Sequence, residues 1–225
     1  MKRPHFSLEE SLSAKEMEVL KNSVSEHRLR KGDRLFFEGK TATGVYYVAT
    51  GKFKLYTTDA GGREQIIHLG RPGDMMGYRA VLGSDTYSCT AEALESSEVW
   101  FIPKNDFLLL LDSNASLSHA VIRLLTEELR HAEHHLAGLA RKTVKARLAD
   151  ALILLVDKFG YEDDGQTLAV GLTREELAAL VGTVTETAIR LIQQLKEEGL
   201  LATDGKKIRL LDEKALRHYS EDLPR

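Results

Sequence analysis

Cysteine is almost missing from this sequence, with Cys89 the only one in 225 residues. Within one chain that excludes a disulfide framework, a four-thiolate zinc site and an all-cysteine iron–sulfur cluster. A long apolar run is missing as well. The stretch around Ala151 to Val156 falls far short of the roughly 18 to 20 apolar residues that a membrane-crossing helix requires, so no span is expected. Met1-Lys2-Arg3-Pro4-His5 runs into the polar segment Glu9 to Lys15 without an apolar block of signal-peptide length, and the expected location is the cytoplasm. Basic charge is not in excess: 31 Lys and Arg stand against 34 Asp and Glu, a net charge of −3, with a similar balance on both sides of Ala140. Bulk charge therefore does not advertise a nucleic-acid partner. No paired carboxylates, nucleophile motif or phosphate loop fall where a fold would gather them, so an enzyme is not expected.

What is present changes character at Pro103. Before it, glycines at 32, 39, 44, 51, 61, 62, 70, 73, 77 and 83 separate short β-prone runs. These are Arg34 to Glu38, Gly44 to Ala49, Phe53 to Thr58, Glu64 to Leu69, Ser88 to Ala93 and Glu98 to Pro103. Asp59-Ala60-Gly61-Gly62 reads as a hairpin turn. A short helix from about Ser13 to Ser23 leads in, and strands this short and this regular indicate a barrel or sandwich. From Lys104 to Phe159 glycine and proline nearly vanish, and leucine, alanine, glutamate and arginine recur at helical spacing. Ile122, Leu125, Leu129, Ala132, Leu136 and Leu139 advance by alternate steps of three and four, the seam of a two-stranded coiled coil. Leu117, Val121 and Leu124 form an adjacent stripe suited to packing on the chain's own β-domain. Glu128, His131 and His135, with His134 beside them, stand at a spacing that could share a metal or a haem; the simpler reading is a solvated flank of the coiled coil, with no metal and no cofactor. Cys89 reads as a small buried side chain.

A second helix is expected at about Thr143 to Lys158, followed by an acidic, glycine-bounded loop, Gly160 to Gly165. Thr173-Arg174-Glu175-Glu176 is a capping box that opens a short helix with Leu177, Leu180 and Val181 inward. Gly182 permits a tight turn. Thr183 to Glu198 then forms a helix with Ala188, Leu191, Ile192 and Leu195 inward and Thr185, Glu186, Ile189, Arg190 and Gln193 outward, stopped at Gly199. This pair is a helix-turn-helix. Leu200 to Leu211 adds a hairpin carrying Lys206, Lys207 and Arg209, which makes the winged form. Thr183 and Glu186 also stand at capping-box spacing, which would tie Glu186 to the backbone.

Across nearly its full length the chain resembles the CRP/FNR family of transcription regulators. The likeness rests on the glycine-rich roll ending in Pro72-Gly73-Asp74-Met75-Met76-Gly77, the long helix, Arg147, and the block from Thr173-Arg174-Glu175-Glu176-Leu177-Ala178 to Leu201. It implies an α+β fold: an N-terminal jelly-roll-like β-roll of the cyclic-nucleotide-binding type (residues 1–111), a dimerisation helix (112–140) and a winged helix-turn-helix domain (141–225). The implied function is a homodimeric DNA-binding regulator that reads a palindromic site and positions RNA polymerase. Thr185, Glu186, Ile189 and Arg190 would read bases; Arg174, Thr183, Lys206, Lys207 and Arg209 would hold phosphates. The implied effector pocket comprises Gly77, Tyr78, Arg79, Tyr87, Ser88, Ala132 and Glu133. Family members that bind cyclic AMP carry Glu, Arg-Ser and Thr-Ser where this chain has Tyr78, Tyr87-Ser88 and Ala132-Glu133. A buried phosphate near Tyr87 would lack its guanidinium, with Glu92 nearby of the wrong sign and Arg79 as the one substitute cation. The expected effector is therefore unidentified and other than cyclic AMP, and an FNR-type cluster lacks its thiolates. The competing reading is a sensory subunit whose C-terminal domain docks a protein; the mixture of Thr, Glu and Arg outward on the second helix suits base edges better.

Overall fold

A computed structural model of the chain describes residue 12 and residues 23–221. The leading helix expected from Ser13 lies outside them except for Ser23. The described chain comprises ten strands and six α-helices. It divides into two compact units, Met1–Thr57 with Ile67–Arg130 and Thr58–Ile66 with His131–Arg225. No single helix among the described residues is long and apolar enough to cross a membrane.

The roll is built from two four-stranded sheets. One runs β1 (Ser25–Leu29), β8 (Ser97–Pro103), β3 (Gly44–Thr50), β6 (Met75–Met76), and the other β2 (Arg34–Phe36), β7 (Thr90–Ala93), β4 (Phe53–Thr58), β5 (Glu64–Gly70). Val45, Val48, Phe53, Ala91, Val99 and Ile102 are wholly withdrawn from solvent between them, the inward set that alternation along each strand supplies. The β-prone runs of the sequence all become strands, with Phe37-Glu38 and Ser88-Cys89 trimmed away. Two strands lay beyond sequence reasoning. β1 reads Ser-Glu-His-Arg-Leu with four of five residues exposed, because it is an edge strand paired only with β8; β6 is two residues long.

Helix α1 (Lys104–Ser113) and the long helix α2 (Ala115–Arg141) are separate, where sequence periodicity suggested one helical region. Asn114 divides them: its backbone is extended, and its side chain accepts a hydrogen bond from the Leu117 amide at 2.8 Å, as a helix N-cap does. Leu117 and Val121 are buried in the roll's core, and Leu124 and Leu125 pack against it. Leu125, placed in the seam from sequence, therefore serves the roll at least in part. Ile122, Leu129 and Leu136 remain 58%, 62% and 66% exposed, Ala132 is exposed too, and the Leu139 side chain is outside the description.

In the second unit α3 (Val144–Phe159) is capped by the Thr143 hydroxyl, which accepts from the Ala146 amide. It packs against α4 (Arg174–Val181), α5 (Thr185–Glu197) and α6 (Glu213–Glu221). Leu148, Ala149, Leu152, Leu155, Leu177, Leu195 and Leu216 form the buried centre. β9 (Leu201–Asp204) and β10 (Lys207–Leu210) pair antiparallel across a Gly205-Lys206 turn.

Candidate nucleic-acid interface and effector cavity

In the roll a narrow cavity open to solvent is bounded chiefly by the segments around β6 and β7. Phe36, Leu55, Met75, Met76, Ala80 and Cys89 give it an apolar wall, and Gly77, Tyr78, Arg79, Tyr87, Ser88, His68 and Glu128 complete the lining. Gly77 holds a φ of 82°, and a Cβ there would stand 3.0 Å from the Tyr87 ring, so both backbone and space favour glycine. A π-helical turn, Ala80–Ser84, follows, closed by Asp85 in the left-handed region.

Five of the seven residues assigned to the pocket from sequence thus line one cavity. Tyr87 does not offer its hydroxyl to a ligand, because that hydroxyl donates to the Gly44 carbonyl at 3.1 Å while the ring stacks on Phe36 at 4.1 Å. Glu92, expected to oppose a phosphate, is itself met by Lys54 and Arg34, each at 3.4 Å. From the long helix it is Glu128 that lines the cavity; Ala132 and Glu133, the pair implied by the family resemblance, are exposed one turn further along. Glu128 lies 3.6 Å from the Arg79 guanidinium and 3.7 Å from His68 Nε2. Its partners are thus in the roll, whereas the sequence grouped it with His131 and His135. Among the described residues no three His, Cys, Asp or Glu side chains gather as a metal site, and the side chains of His134 and His135 are outside the description. Burial pushes the Cys89 thiol up, against a smaller pull from Arg79, so it stays protonated at neutral pH.

The helix pair follows its sequence signals closely. The Thr173 hydroxyl accepts from the Glu176 amide at 3.0 Å while Glu176 accepts from the Thr173 amide at 2.7 Å, the reciprocal capping box. Gly182 takes φ 72°, ψ 51° and turns the chain into α5. Arg147 reaches across from α3: Nε donates to the Val181 carbonyl at 3.1 Å and Nη2 to the Gly182 carbonyl at 3.3 Å. These carbonyls end α4, where partners within the helix run out. Sequence reasoning marked Arg147 only through resemblance and missed this contact.

On α5 Ala188, Leu191, Ile192 and Leu195 are buried. Glu186, Ile189, Arg190 and Gln193 are exposed, and Thr185 is half-buried. Val184 caps α5 without a side-chain hydrogen bond, so Glu186 is not tied down by the Thr183 capping box that its spacing allowed. Among the described residues nothing holds the side chains of Glu186 and Arg190. Arg174 donates to the Gly205 carbonyl at 3.2 Å, linking α4 to the wing, and keeps a buried Nη1 with no hydrogen-bond partner. Lys206 and Arg209 are exposed, and Lys207 pairs with Glu162 at 2.7 Å.

Comparison with known proteins agrees with this geometry. The family model for the cyclic nucleotide-binding domain matches residues 26–114, and that for the Crp-like helix-turn-helix domain matches residues 146–219. The chain is 29% identical over 204 residues to the transcriptional activator protein FnrA of Stutzerimonas stutzeri, covering 90% of this chain and 83% of that protein. It is 30% identical over 190 residues to the cyclic AMP receptor protein of Thermus thermophilus, covering 84% and 85%. The solved structure of FixK2 from Bradyrhizobium japonicum matches with a TM-score of 0.77 at 27% identity, covering 87% of this chain and 96% of that one. A β-roll, a long helix and a winged helix-turn-helix in one chain define a DNA-binding transcription regulator. This chain belongs to the CRP/FNR family.

Proposed function

We propose that the protein is a cytoplasmic homodimer that reads a palindromic DNA site, positions RNA polymerase there, and is gated by an effector other than cyclic AMP. The observation that carries the DNA reading is the exposed face of α5. Glu186 and Arg190 stand four residues apart and project from one side, opposite the buried Ala188, Leu191, Ile192 and Leu195. Arg190 has the geometry to donate twice to guanine O6 and N7, and Glu186 to accept from cytosine N4. Thr185 stands beside them, and Ile189, half-exposed and apolar, suits a thymine methyl. Arg174, Lys206 and Arg209 would meet phosphates, with Thr183 at the turn; Lys207, already held by Glu162, would contribute less. Docking a protein in place of DNA would call for a wider apolar face than Val184 and Ile189 provide between charged neighbours.

Dimerisation is supported by Ile122, Leu129 and Leu136, three large apolar side chains left exposed at seven-residue spacing on one helix. We take residues 1–111, 112–140 and 141–225 as effector, dimer and DNA-binding parts. Selection from a random duplex pool by the purified protein tests the reading. A palindrome with half-sites about one helical turn apart is expected; recovery of no common motif would contradict it.

A further inference from the structure

One stripe of the long helix faces the roll, and its last member is a carboxylate. Leu117, Val121, Leu124 and Glu128 advance along α2 by steps of four, three and four residues, which sets them on one side of the helix. Leu117 and Val121 are buried in the roll's core and Leu124 packs against it. Glu128, with a side chain only 17% exposed, continues the stripe where an apolar residue would be expected. The roll meets it with polar groups: the Arg79 guanidinium at 3.6 Å and His68 Nε2 at 3.7 Å. The buried Tyr78 hydroxyl faces the same carboxylate. Burial first and the charge of Glu128 second push that phenol well above its usual range, so it keeps its proton as a donor. The cleft around these groups leaves room for about one water, so the carboxylate is held by the protein's own side chains.

Taking Arg79 away would leave a largely buried charge without its cation, which is costly. The pair therefore fixes which way this turn of α2 faces as well as where it lies. Leu129, the next residue, points about 100° further around the helix and is 62% exposed, with Ile122 and Leu136 one heptad to either side. Resting on the dimer reading above, we propose that Glu128 is a latch through which the roll controls self-association: held by Arg79, His68 and Tyr78, it fixes the rotation of α2 that presents Ile122 and Leu129 together. Release of the latch lets that part of the helix turn or fray, and a second copy must then re-order the seam before it can pack. Pre-organisation of this kind raises affinity without adding a contact. None of the latch residues is an apolar seam position, and Arg79, His68 and Tyr78 lie outside α2 altogether.

Sedimentation equilibrium of the full chain at one salt concentration and pH reads the latch through the dimer constant of wild type, Glu128→Gln, Arg79→Gln and the double variant. Each single substitution is expected to weaken the dimer at least about fivefold, the lower end of coupling between two sites, with near-ultraviolet circular dichroism unchanged. The double variant should be no weaker than the weaker single, since either change alone opens the same latch. Arg79, whose side chain is 45% exposed, can be changed without opening the core, so Arg79→Gln alone decides should Glu128→Gln fail to fold. A dimer unchanged or tightened by Arg79→Gln, or two effects that simply multiply in the double variant, would overturn the latch and leave the dimer reading standing. A wild-type protein that stays monomeric at micromolar concentration would overturn both.

Discussion

Replacing Leu129 and Leu136 together by glutamate should convert the protein to a monomer without unfolding it. The two side chains are 62% and 66% exposed in the single chain. Complete burial of a leucine is worth about 1.5–3 kcal/mol, so closing a seam over the exposed part gains about 1–2 kcal/mol per side chain. A two-fold interface uses each residue twice, and the double substitution therefore removes about 4–8 kcal/mol, or about three to six decades in dissociation constant. Unpaired carboxylates pushed into the seam add to that loss. The roll should survive, because α2 packs onto it through Leu117 and Val121, which are untouched and buried. Sedimentation equilibrium reads the association and near-ultraviolet circular dichroism reads the fold. A doubly substituted protein that stays dimeric at micromolar concentration would show that the seam lies elsewhere.

Cyclic AMP should bind no better than millimolar in calorimetry, because Arg79 is paired with Glu128 and Tyr87, whose ring stacks on Phe36, offers no cation to a phosphate; a micromolar constant would contradict this. Arg147→Ala should destabilise the helix pair by about 1.5–3 kcal/mol, the value of hydrogen bonds from a charged donor, and weaken binding to every DNA sequence alike; a changed motif in the selected pool would refute a positioning role. Asp164 accepts from the Thr167 hydroxyl at 2.6 Å, the Thr167 amide at 2.7 Å and the Gln166 amide at 3.0 Å. Those bonds, the Thr167 hydroxyl foremost, lower its pKa from 3.8 to about 2. Since the folded value lies below the unfolded one, the stabilisation is present above pH 3.8 and is lost as the pH falls toward 2. An NMR titration midpoint near 2, moving upward in Thr167→Val, is expected; a midpoint at the ordinary value in the folded protein would contradict it.

Much of the architecture is legible in local chemistry. Alternating β-branched and aromatic runs between glycines became the strands of the roll, and the Thr173–Glu176 box, Gly182 and Gly199 mark the ends of the helix pair as their backbone preferences require. Exposure of Ile122, Leu129 and Leu136 fits the three-four spacing, while Leu125 shows its limit: periodicity names a stripe without saying which of two partners each residue meets. β1 escaped notice because an edge strand with one neighbour needs little apolar content. The Asn114 break carried a readable signal, a cap residue three positions before Leu117, obscured by leucines on both sides. Glu128 could not be assigned from sequence at all. Its partners Arg79 and His68 lie 49 and 60 positions away, and a carboxylate on a charged helix looks solvated until the fold brings a cavity against it.

Base reading by Arg190 and Glu186 on α5, as proposed above, is open to a direct test. Wild type and Arg190→Ala should be put through the same random-duplex selection at one fixed salt concentration, followed by affinity measurement on the wild-type site. Loss of preference at a single symmetric base pair, with a cost of roughly 1–3 kcal/mol, is the expected result. An unchanged motif bound with unchanged affinity would contradict the account.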